Sequence, residues 1–219
     1  MVITIDGPAG AGKSTVAREL ARRLGFSYLD TGAMYRALTL KALRKKVRLE
    51  SEDDLMALAK VTNLDLTADK DHNLHVILDG EDVSEAIRTK EVTNNTFYIA
   101  RAPRVREIMV EWQRKIGSKN NVVVEGRDTG TVVFPQATKK FYLDANFAER
   151  CRRRIKELRD KGVALDEEAL KADLQARDQK DLTRAVGPLK QAEDAVFFDT
   201  TGMDVAEVAD KLMKYIQHG

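Results

Sequence analysis

This 219-residue sequence has one cysteine, no long apolar run and almost no net charge, and each scarcity argues against a class of protein. The single cysteine, Cys151, has no partner for an intramolecular disulfide. No stretch approaches the ~18 consecutive apolar residues of a membrane-spanning helix. The sequence begins with the strand-like residues Val2 to Ile5 rather than with the basic and apolar segments of a signal peptide. We therefore expect a cytoplasmic protein with no membrane partner.

The charged residues are numerous but balanced. Lysine and arginine total 37 and aspartate and glutamate total 35, so the formal net charge is +2. A chain without a large field of one sign is a poor candidate for binding nucleic acid. The arginine-rich residues 150–154 could form a basic patch, but the acidic residues around them favour a solvated helix face or a lid. We therefore expect small-molecule substrates and no nucleic-acid partner.

Short apolar segments alternate with helical patterns along most of the chain. The strand-like segments are residues 2–5, 26–29, 122–124, 141–143 and 195–198. The clearest helical stripe follows Pro103, where Val105, Ile108, Met109 and Trp112 share one face of a helix. Strands that alternate with helices predict an α/β fold with a five-stranded parallel sheet flanked by helices.

Two regions depart from this alternation. Residues 64–66 and 74–78 are strand-like and border a polar turn at residues 71–73, which predicts a small β-rich insert. The charged residues 148–184 have a helical periodicity that breaks near Gly162, which predicts two helices projecting over the site. No Pro/Gly/Ser-rich linker separates these regions, so we expect one core, residues 1–60 and 101–219, that carries both.

One motif after the first strand has a specific chemistry. The segment is Gly7-Pro8-Ala9-Gly10-Ala11-Gly12-Lys13-Ser14-Thr15, which fits the phosphate-loop pattern G-x-x-x-x-G-K-[ST]. In this motif, backbone N–H groups turn towards phosphate oxygens, Lys13 reaches the terminal phosphates and the Ser14 hydroxyl ligates Mg²⁺. The segment therefore predicts binding of a nucleotide, ATP or GTP, with Mg²⁺. The motif alone leaves open whether the phosphoryl acceptor is water or a small molecule.

Arginines at three further places favour an acceptor that carries its own phosphate. A phosphate monoester is largely ionised at neutral pH, so its site needs guanidinium groups rather than a strong general base. Arg36 follows the second strand, Arg127 follows the third, and Arg177 and Arg184 lie in the charged segment. The carboxyl ends of parallel strands are where α/β folds bind ligands. The sequence therefore predicts a second phosphate site built from arginines.

Seven blocks of the sequence resemble the bacterial cytidylate kinases, in the same order along the chain from Val2 to about Leu189. The blocks are residues 7–15, 29–36, 80–84, 87–89, 103–106, 126–135 and 181–189. The block that begins Gly126-Arg127-Asp128 and ends at Pro135 is much more specific than a phosphate loop. The resemblance implies an adenylate-kinase-like P-loop fold in which residues 61–100 bind the nucleoside monophosphate and a lid, about residues 150–185, closes over the phosphates. The implied enzyme is a monomeric kinase of pyrimidine metabolism that transfers the γ-phosphoryl group of MgATP to CMP or dCMP.

The same resemblance implies roles around the transferred group. The residues expected to hold the acceptor phosphate are Arg36, Arg127 and Arg184, with Thr31 and Tyr35 beside it. The residues expected to act in catalysis are Lys13, Arg127, Arg153 and Arg184. Such a site works by positioning the reactants and by spreading the negative charge of an in-line transfer.

The resemblance also implies how the nucleoside is recognised. Arg106 and Asp128 would face the base, and a carboxylate suits the exocyclic amine that cytosine has and uracil lacks. Asp181 would accept hydrogen bonds from the ribose hydroxyls, with Arg177 nearby. CMP should therefore be a better acceptor than UMP.

Three residues depart from the family pattern. Phe97 stands where the family usually has a small serine that touches the base, Thr31 replaces a frequent serine, and Thr129 replaces an apolar residue.

The sequence leaves the roles of two carboxylates open, with two alternatives for each. Glu125 and Asp6 follow buried strands, where P-loop proteins often place an acid that bridges to magnesium, but each could equally pair with a nearby side chain.

Two other functions fit parts of the sequence. The first is a kinase of the same fold that phosphorylates UMP, AMP or a non-nucleotide alcohol. The second is a P-loop switch or nucleic-acid-associated ATPase, which would hydrolyse ATP without an acceptor. The arginines expected to hold the acceptor phosphate argue against a switch protein, which has no acceptor. Asp128 together with Arg106 favours an acceptor whose base is cytosine.

Overall fold

The computed structural model describes residues 1–69, 74–160 and 162–218, and the chain divides into two units. The first unit consists of Met1–Phe26 and Val122–Gly219, and the second is Ser27–Asn121. The strands are β1 (Val2–Asp6), β2 (Ser27–Asp30), β3 (Leu64–Ala68), β4 (Leu74–Leu78), β5 (Glu81–Asp82), β6 (Val122–Gly126), β7 (Lys139–Asp144) and β8 (Val196–Asp199). The helices are α1 (Lys13–Leu24), α2 (Thr31–Arg44), α3 (Glu52–Lys60), α4 (Lys90–Arg101), α5 (Pro103–Gly117), α6 (Phe147–Asp160), α7 (Glu167–Thr183) and α8 (Val205–His218).

The predicted five-stranded sheet is confirmed. It contains β1, β2, β6, β7 and β8, and in the first unit its order is β6-β1-β7-β8 with every pairing parallel. Ile3 and Ile5 of β1 are fully buried, as expected for a central parallel strand. Asp6 at the end of β1 lies opposite Gly126 at the end of β6. The Gly7 loop and Arg127 therefore start at the same edge of the sheet.

Helix α1 packs against β6 and α8 in the first unit. Its buried face includes Val16, Ala17, Leu20 and Ala21. The helix ends at Gly25, whose φ of 67° is a left-handed conformation that closes many helices.

The charged segment forms the two predicted helices, α6 and α7. Helix α7 is capped by Asp166, whose side chain accepts a hydrogen bond from the Glu168 N–H at 3.0 Å. Cys151 of α6 and Leu174 of α7 are buried together with Ala9 of the phosphate loop. The two helices therefore pack directly on that loop.

The second unit holds the three-stranded antiparallel sheet β3-β4-β5. Its buried side chains, such as Val76 and Leu78, pack with Ala33 and Ala37 of α2. The predicted strands at residues 64–66 and 74–78 are present, whereas the predicted turn at residues 71–73 lies outside the described residues.

The predicted β-rich insert over residues 61–100 also contains a helix that the sequence pattern did not reveal, because α4 begins at Lys90. The Thr89 hydroxyl accepts a hydrogen bond from the Val92 N–H at 3.3 Å and caps this helix. Val92 and Ile99 bury one face of α4. The assignments of residues 61–100 to acceptor binding and of 150–185 to a lid remain predictions.

Within the described ranges, no helix is both long enough and apolar enough to cross a bilayer.

The first prediction concerns the close approach of Gly7 to β7. Gly7 has φ 148°, and a Cβ there would lie 1.9 Å from the Leu143 carbonyl oxygen, whereas a Cβ at Gly25 would meet no atom within 4 Å. Gly7→Ala should therefore lower the free energy of unfolding by roughly 3 kcal/mol or more, because backbone must move. Gly25→Ala should lower it by about 1–2 kcal/mol, the cost of the left-handed conformation alone. Urea unfolding of both variants checks the difference, and equal losses would contradict the contact.

Candidate functional site

The phosphate loop lies between the end of β1 and the start of α1, as predicted. Gly10 and Gly12 have positive φ angles of 79° and 86°. Helix α1 begins at Lys13, so its first N–H groups have no acceptor within the helix. The partial positive charge of a helix N-terminus lies beside these groups, which makes the loop suitable for an anion.

Lys13 is buried beside this loop, with only 5% of its surface exposed. Its Nζ donates a hydrogen bond to the Pro8 carbonyl at 2.7 Å. The pKa of Lys13 is lowered to about 7, first by burial and then by the guanidinium groups of Arg127 and Arg177, against the opposing effect of Glu125 and Asp181. Two of the predicted acceptor-side arginines are therefore electrostatic neighbours of the phosphate-loop lysine.

Arg127 forms a largely buried ion pair with Asp181. Its Nε donates to Asp181 Oδ2 at 2.7 Å, and its Nη1 donates to the Gly126 carbonyl at 3.2 Å. Burial acts to raise the pKa of Asp181, but Arg127, Arg177 and Arg184 outweigh it and hold this pKa below its ordinary value. The carboxylate thus stays charged and balances the cluster of arginines.

Asp128 and Arg184 lie against each other, although the sequence predicts that they bind different parts of the acceptor. Arg184 Nη2 donates to Asp128 Oδ1 at 3.2 Å, and both side chains are more than nine-tenths buried. Arg184 Nε also donates to the Gly187 carbonyl. Each residue therefore has an interaction that orients it within the first unit.

Arg153, the predicted lid arginine, is held by the protein at several atoms. Its Nε donates to Glu149 Oε1 at 2.8 Å, and its Nη2 donates to the Thr200 carbonyl at 2.6 Å. Its Nη1 donates to Thr200 Oγ1 at 3.0 Å and weakly to the Ala11 carbonyl at 3.5 Å. Arg153 thus joins α6 to the phosphate loop and to the turn after β8, and its contact with a transferred phosphate stays a prediction.

In the second unit, Arg36 is oriented by Asp30. Arg36 Nη2 donates to Asp30 Oδ2 at 2.9 Å, while Asp30 Oδ1 accepts from the Ala33 N–H at 2.8 Å and caps α2. The Nε of Arg36 is buried and has no hydrogen-bond partner among the described residues. A buried donor of this kind is costly until it meets an acceptor such as a phosphate oxygen. Thr31 follows Asp30 in the sequence, is the first residue of α2 and is also buried.

The other predicted acceptor residues of the second unit are also buried. The guanidinium carbon of Arg106 lies 5.6 Å from the centroid of the Tyr35 ring, and Arg106 Nη1 donates weakly to the Ala100 carbonyl at 3.4 Å. Phe97, the departure from the family pattern, contacts Arg101, whose guanidinium carbon lies 5.3 Å from the ring centroid.

Asp6 has a structural role that the sequence left open. Its Oδ1 accepts from the Thr129 N–H at 2.9 Å and the Thr129 hydroxyl at 2.8 Å, and its Oδ2 accepts from the Gly130 N–H at 2.8 Å. Burial raises the pKa of Asp6, and these hydrogen bonds oppose the rise. Asp6 therefore holds the single π-helical turn, Thr129–Val133, that follows Asp128.

Sequence reasoning missed two residues that hold the phosphate loop, Arg150 and Asp178. In the sequence, Arg150 resembles the other arginines of residues 150–154, and no pattern singles out Asp178. The one weak signal concerns Arg150, which lies one helical turn before Arg153 on the same face of α6.

A family model described as cytidylate kinase matches residues 3–218. A cytidylate kinase from Desulforamulus reducens is 48% identical over 217 residues, covering 99% of this chain and 97% of that relative. One from Vibrio cholerae serotype O1 is 46% identical over 216 residues, covering 99% and 96%. A shikimate kinase structure from Bacteroides thetaiotaomicron has a TM-score of 0.51 at 14% identity, covering 99% of this chain and 98% of that one, which is a likeness of fold alone.

The second prediction follows from the low pKa of Lys13, which is about 7. At about pH 8 most Lys13 side chains are neutral in the free protein, and the negative charge of bound ATP should raise the pKa, so binding should take up protons. At about pH 6 the lysine is already charged, and the uptake through Lys13 should disappear. Calorimetric titration with ATP in buffers of different ionisation enthalpy measures this uptake.

Two variants make this measurement specific. Lys13→Met should abolish the uptake at the higher pH, whereas Lys171→Met, which removes an exposed lysine paired with Glu168, should leave it unchanged. Equal uptake by the wild type and Lys13→Met would contradict the assignment.

Proposed function

Because the chain belongs to the cytidylate kinase family, we propose that it transfers the γ-phosphoryl group of ATP to CMP or dCMP, giving ADP and CDP or dCDP. One feature of the structure supports the proposal most directly. Lys13 of the phosphate loop is an electrostatic neighbour of Arg127 and Arg177 within one unit. A cluster of neighbouring cations of this kind suits two phosphate groups held close together, which phosphoryl transfer between nucleotides requires.

The donor side of the proposed site is the phosphate loop, Gly7 to Thr15. The loop's N–H groups and the start of α1 would hold the phosphates of ATP, and Lys13 would contact the terminal ones. Ser14 is exposed in the first turn of α1, and its hydroxyl, with phosphate and water oxygens, would form the oxygen ligand set that Mg²⁺ prefers. Bound Mg²⁺ supplies charge neutralisation to the phosphates.

The acceptor phosphate would be held by Arg36, Arg127 and Arg184, with Thr31 and Tyr35 contributing hydroxyl groups. Arg36 and Arg127 are each oriented by a carboxylate, Asp30 and Asp181 respectively. Carboxylate-held guanidinium groups lose little further freedom when they bind a phosphate, so each of these two arginines would be preorganised for that contact.

The nucleoside would be recognised by a further set of residues. Asp128 would accept from the exocyclic amine of cytosine, Arg106 would donate to ring acceptors, and Asp181 with Arg177 would bind the ribose. If Asp128 faced uracil, a buried acceptor would meet a carbonyl oxygen, at a cost of about 1–3 kcal/mol. We therefore propose that CMP is preferred to UMP.

Arg153 and the helices α6 and α7 would cover the transferring group. Excluding water from such a site favours transfer to the nucleotide over hydrolysis of ATP. We further propose that the protein acts as a cytoplasmic monomer on small-molecule substrates and without nucleic acid. Its net charge of +2 supports the last of these points alone.

The third prediction is the acceptor profile. A coupled assay of ADP release should show fast turnover with CMP and dCMP, slower turnover with UMP and AMP, and little with no acceptor. Comparable turnover on UMP would defeat the cytosine assignment. Sustained hydrolysis without any acceptor would instead favour a nucleotide-dependent switch.

The fourth prediction isolates recognition of the base. Asp128→Asn keeps the shape of the side chain but adds an amide donor that suits uracil, so the ratio of kcat/KM for CMP to that for UMP should fall about tenfold. Loss of the ion pair with Arg184 would affect both acceptors alike and cancels in this ratio. Asp194→Asn, which disrupts the Lys140 ion pair, is the control and should leave the ratio unchanged. An unchanged ratio in Asp128→Asn would remove Asp128 from base recognition.

A further inference from the structure

Helices α6 and α7 hold the phosphate loop through two side chains that have no role in the function proposed above. The Ala9 N–H donates to Asp178 Oδ1 at 3.3 Å, and the Ala9 carbonyl accepts from Arg150 Nη1 at 3.0 Å. Arg150 Nη1 also donates to Asp178 Oδ2. One buried ion pair therefore binds both backbone polar groups of a single loop residue.

The ion pair is itself firmly placed. Arg150 and Asp178 are each 9% exposed. Arg150 Nε donates to the Ala145 carbonyl at 3.1 Å, and its guanidinium carbon lies 5.3 Å from the centroid of the Phe147 ring. A buried ion pair stabilises a fold no better than well-packed apolar side chains of similar volume. A gain in stability therefore does not explain why this buried position holds a charged pair. The hydrogen bonds that the pair makes to the loop backbone do explain it, because apolar side chains could not make them.

The contacts act on two consecutive peptide groups, and peptide planarity transmits them into the loop. In a trans peptide the N–H and C=O bonds point in opposite directions. The Ala9 N–H belongs to the same peptide as the Pro8 carbonyl, which accepts from Lys13 Nζ at 2.7 Å. By accepting a hydrogen bond from the Ala9 N–H, Asp178 thus sets the direction of the Pro8 carbonyl, to which Lys13 Nζ donates.

Arg150 acts in the same way on the next peptide group. The Ala9 carbonyl belongs to the same peptide as the Gly10 N–H. Because Arg150 holds this carbonyl towards α6, the Gly10 N–H must point to the opposite side. Backbone N–H groups of a phosphate loop are its anion-binding groups.

We propose that Arg150 and Asp178 are positioning residues that orient the Pro8–Ala9 and Ala9–Gly10 peptide groups, and hence Lys13 and the Gly10 N–H, for binding the phosphates of ATP. The proposal rests on the proposed function only in taking ATP as the ligand of the loop. It makes binding at the loop depend on the packing of α6 and α7, the two helices of the predicted lid.

The test measures binding and turnover separately. Asp178→Asn and Arg150→Met should each raise the dissociation constants of ATP and pyrophosphate about tenfold without any acceptor present, because misplaced groups bind the phosphates poorly. In the kinase assay the KM for ATP should rise by a similar factor, while the KM for CMP stays within about twofold. Arg150→Lys keeps a charged donor near the Ala9 carbonyl and should recover part of the loss.

The matched control is a second ion pair between the same helices. Arg159 pairs with Glu167, and their side chains are 65% and 40% exposed. Arg159 lies nine residues after Arg150 in α6, about 14 Å along the helix axis. Arg159→Met and Glu167→Gln should leave the dissociation constants of ATP and pyrophosphate within about twofold of the wild type, as expected for an exposed pair.

Two outcomes would overturn the proposal. One is a folded Asp178→Asn protein that binds ATP and pyrophosphate as the wild type does. The other is an equal rise in the KM for ATP and for CMP, which indicates a general loss of structure. If Arg150→Met does not fold, Asp178→Asn and Arg150→Lys decide the matter. A wild type that binds ATP but does not phosphorylate CMP would defeat the proposed function, while the binding measurements would still test the positioning residues.

Discussion

A buried lysine beside two guanidinium groups is the constraint on which the rest of the first unit depends. Burial first, and then the positive charges of Arg127 and Arg177, lower the pKa of Lys13 to about 7. The carboxylates of Glu125 and Asp181 oppose part of this effect. A polyanion beside the lysine would favour its charged form, as the proposed binding of ATP requires.

The same unit uses buried carboxylates to hold the main chain at the edge of the sheet. Asp6 binds the N–H groups of Thr129 and Gly130, and Asp178 binds the N–H of Ala9. Both contacts join segments far apart in the chain, and both act on loops that follow strands of the central sheet. The phosphate loop and the Arg127–Asp128 segment thus have backbone directions set by contacts within the protein, which is the preorganisation that electrostatic catalysis needs.

The second unit follows a similar principle with different residues. Asp30 caps α2 and binds Arg36, so one carboxylate sets both the start of a helix and the direction of a guanidinium group. Arg106 packs over the Tyr35 ring. Phe97 contacts Arg101, whose guanidinium carbon lies 5.3 Å from the centroid of the Phe97 ring.

Local pattern in the sequence was sufficient for the strands of the sheet, the phosphate loop and the two helices of the charged segment, because periodicity and motif spacing act over a few residues. Helix α4 was missed because its stripe, Val92 and Ile99, is short and follows β-like sequence. Thr129 was noticed only as a departure from a family pattern, yet its hydroxyl binds Asp6, 123 residues away. The contacts of Arg150 with Asp178 and Ala9 could not be predicted either, because the sequence does not distinguish a buried arginine of a charged helix from its solvent-exposed neighbours. The sequence by itself determined which chemistry the chain carries, whereas only the tertiary structure decided which charged side chains face water and which orient the backbone, since burial depends on contacts between segments far apart in the chain.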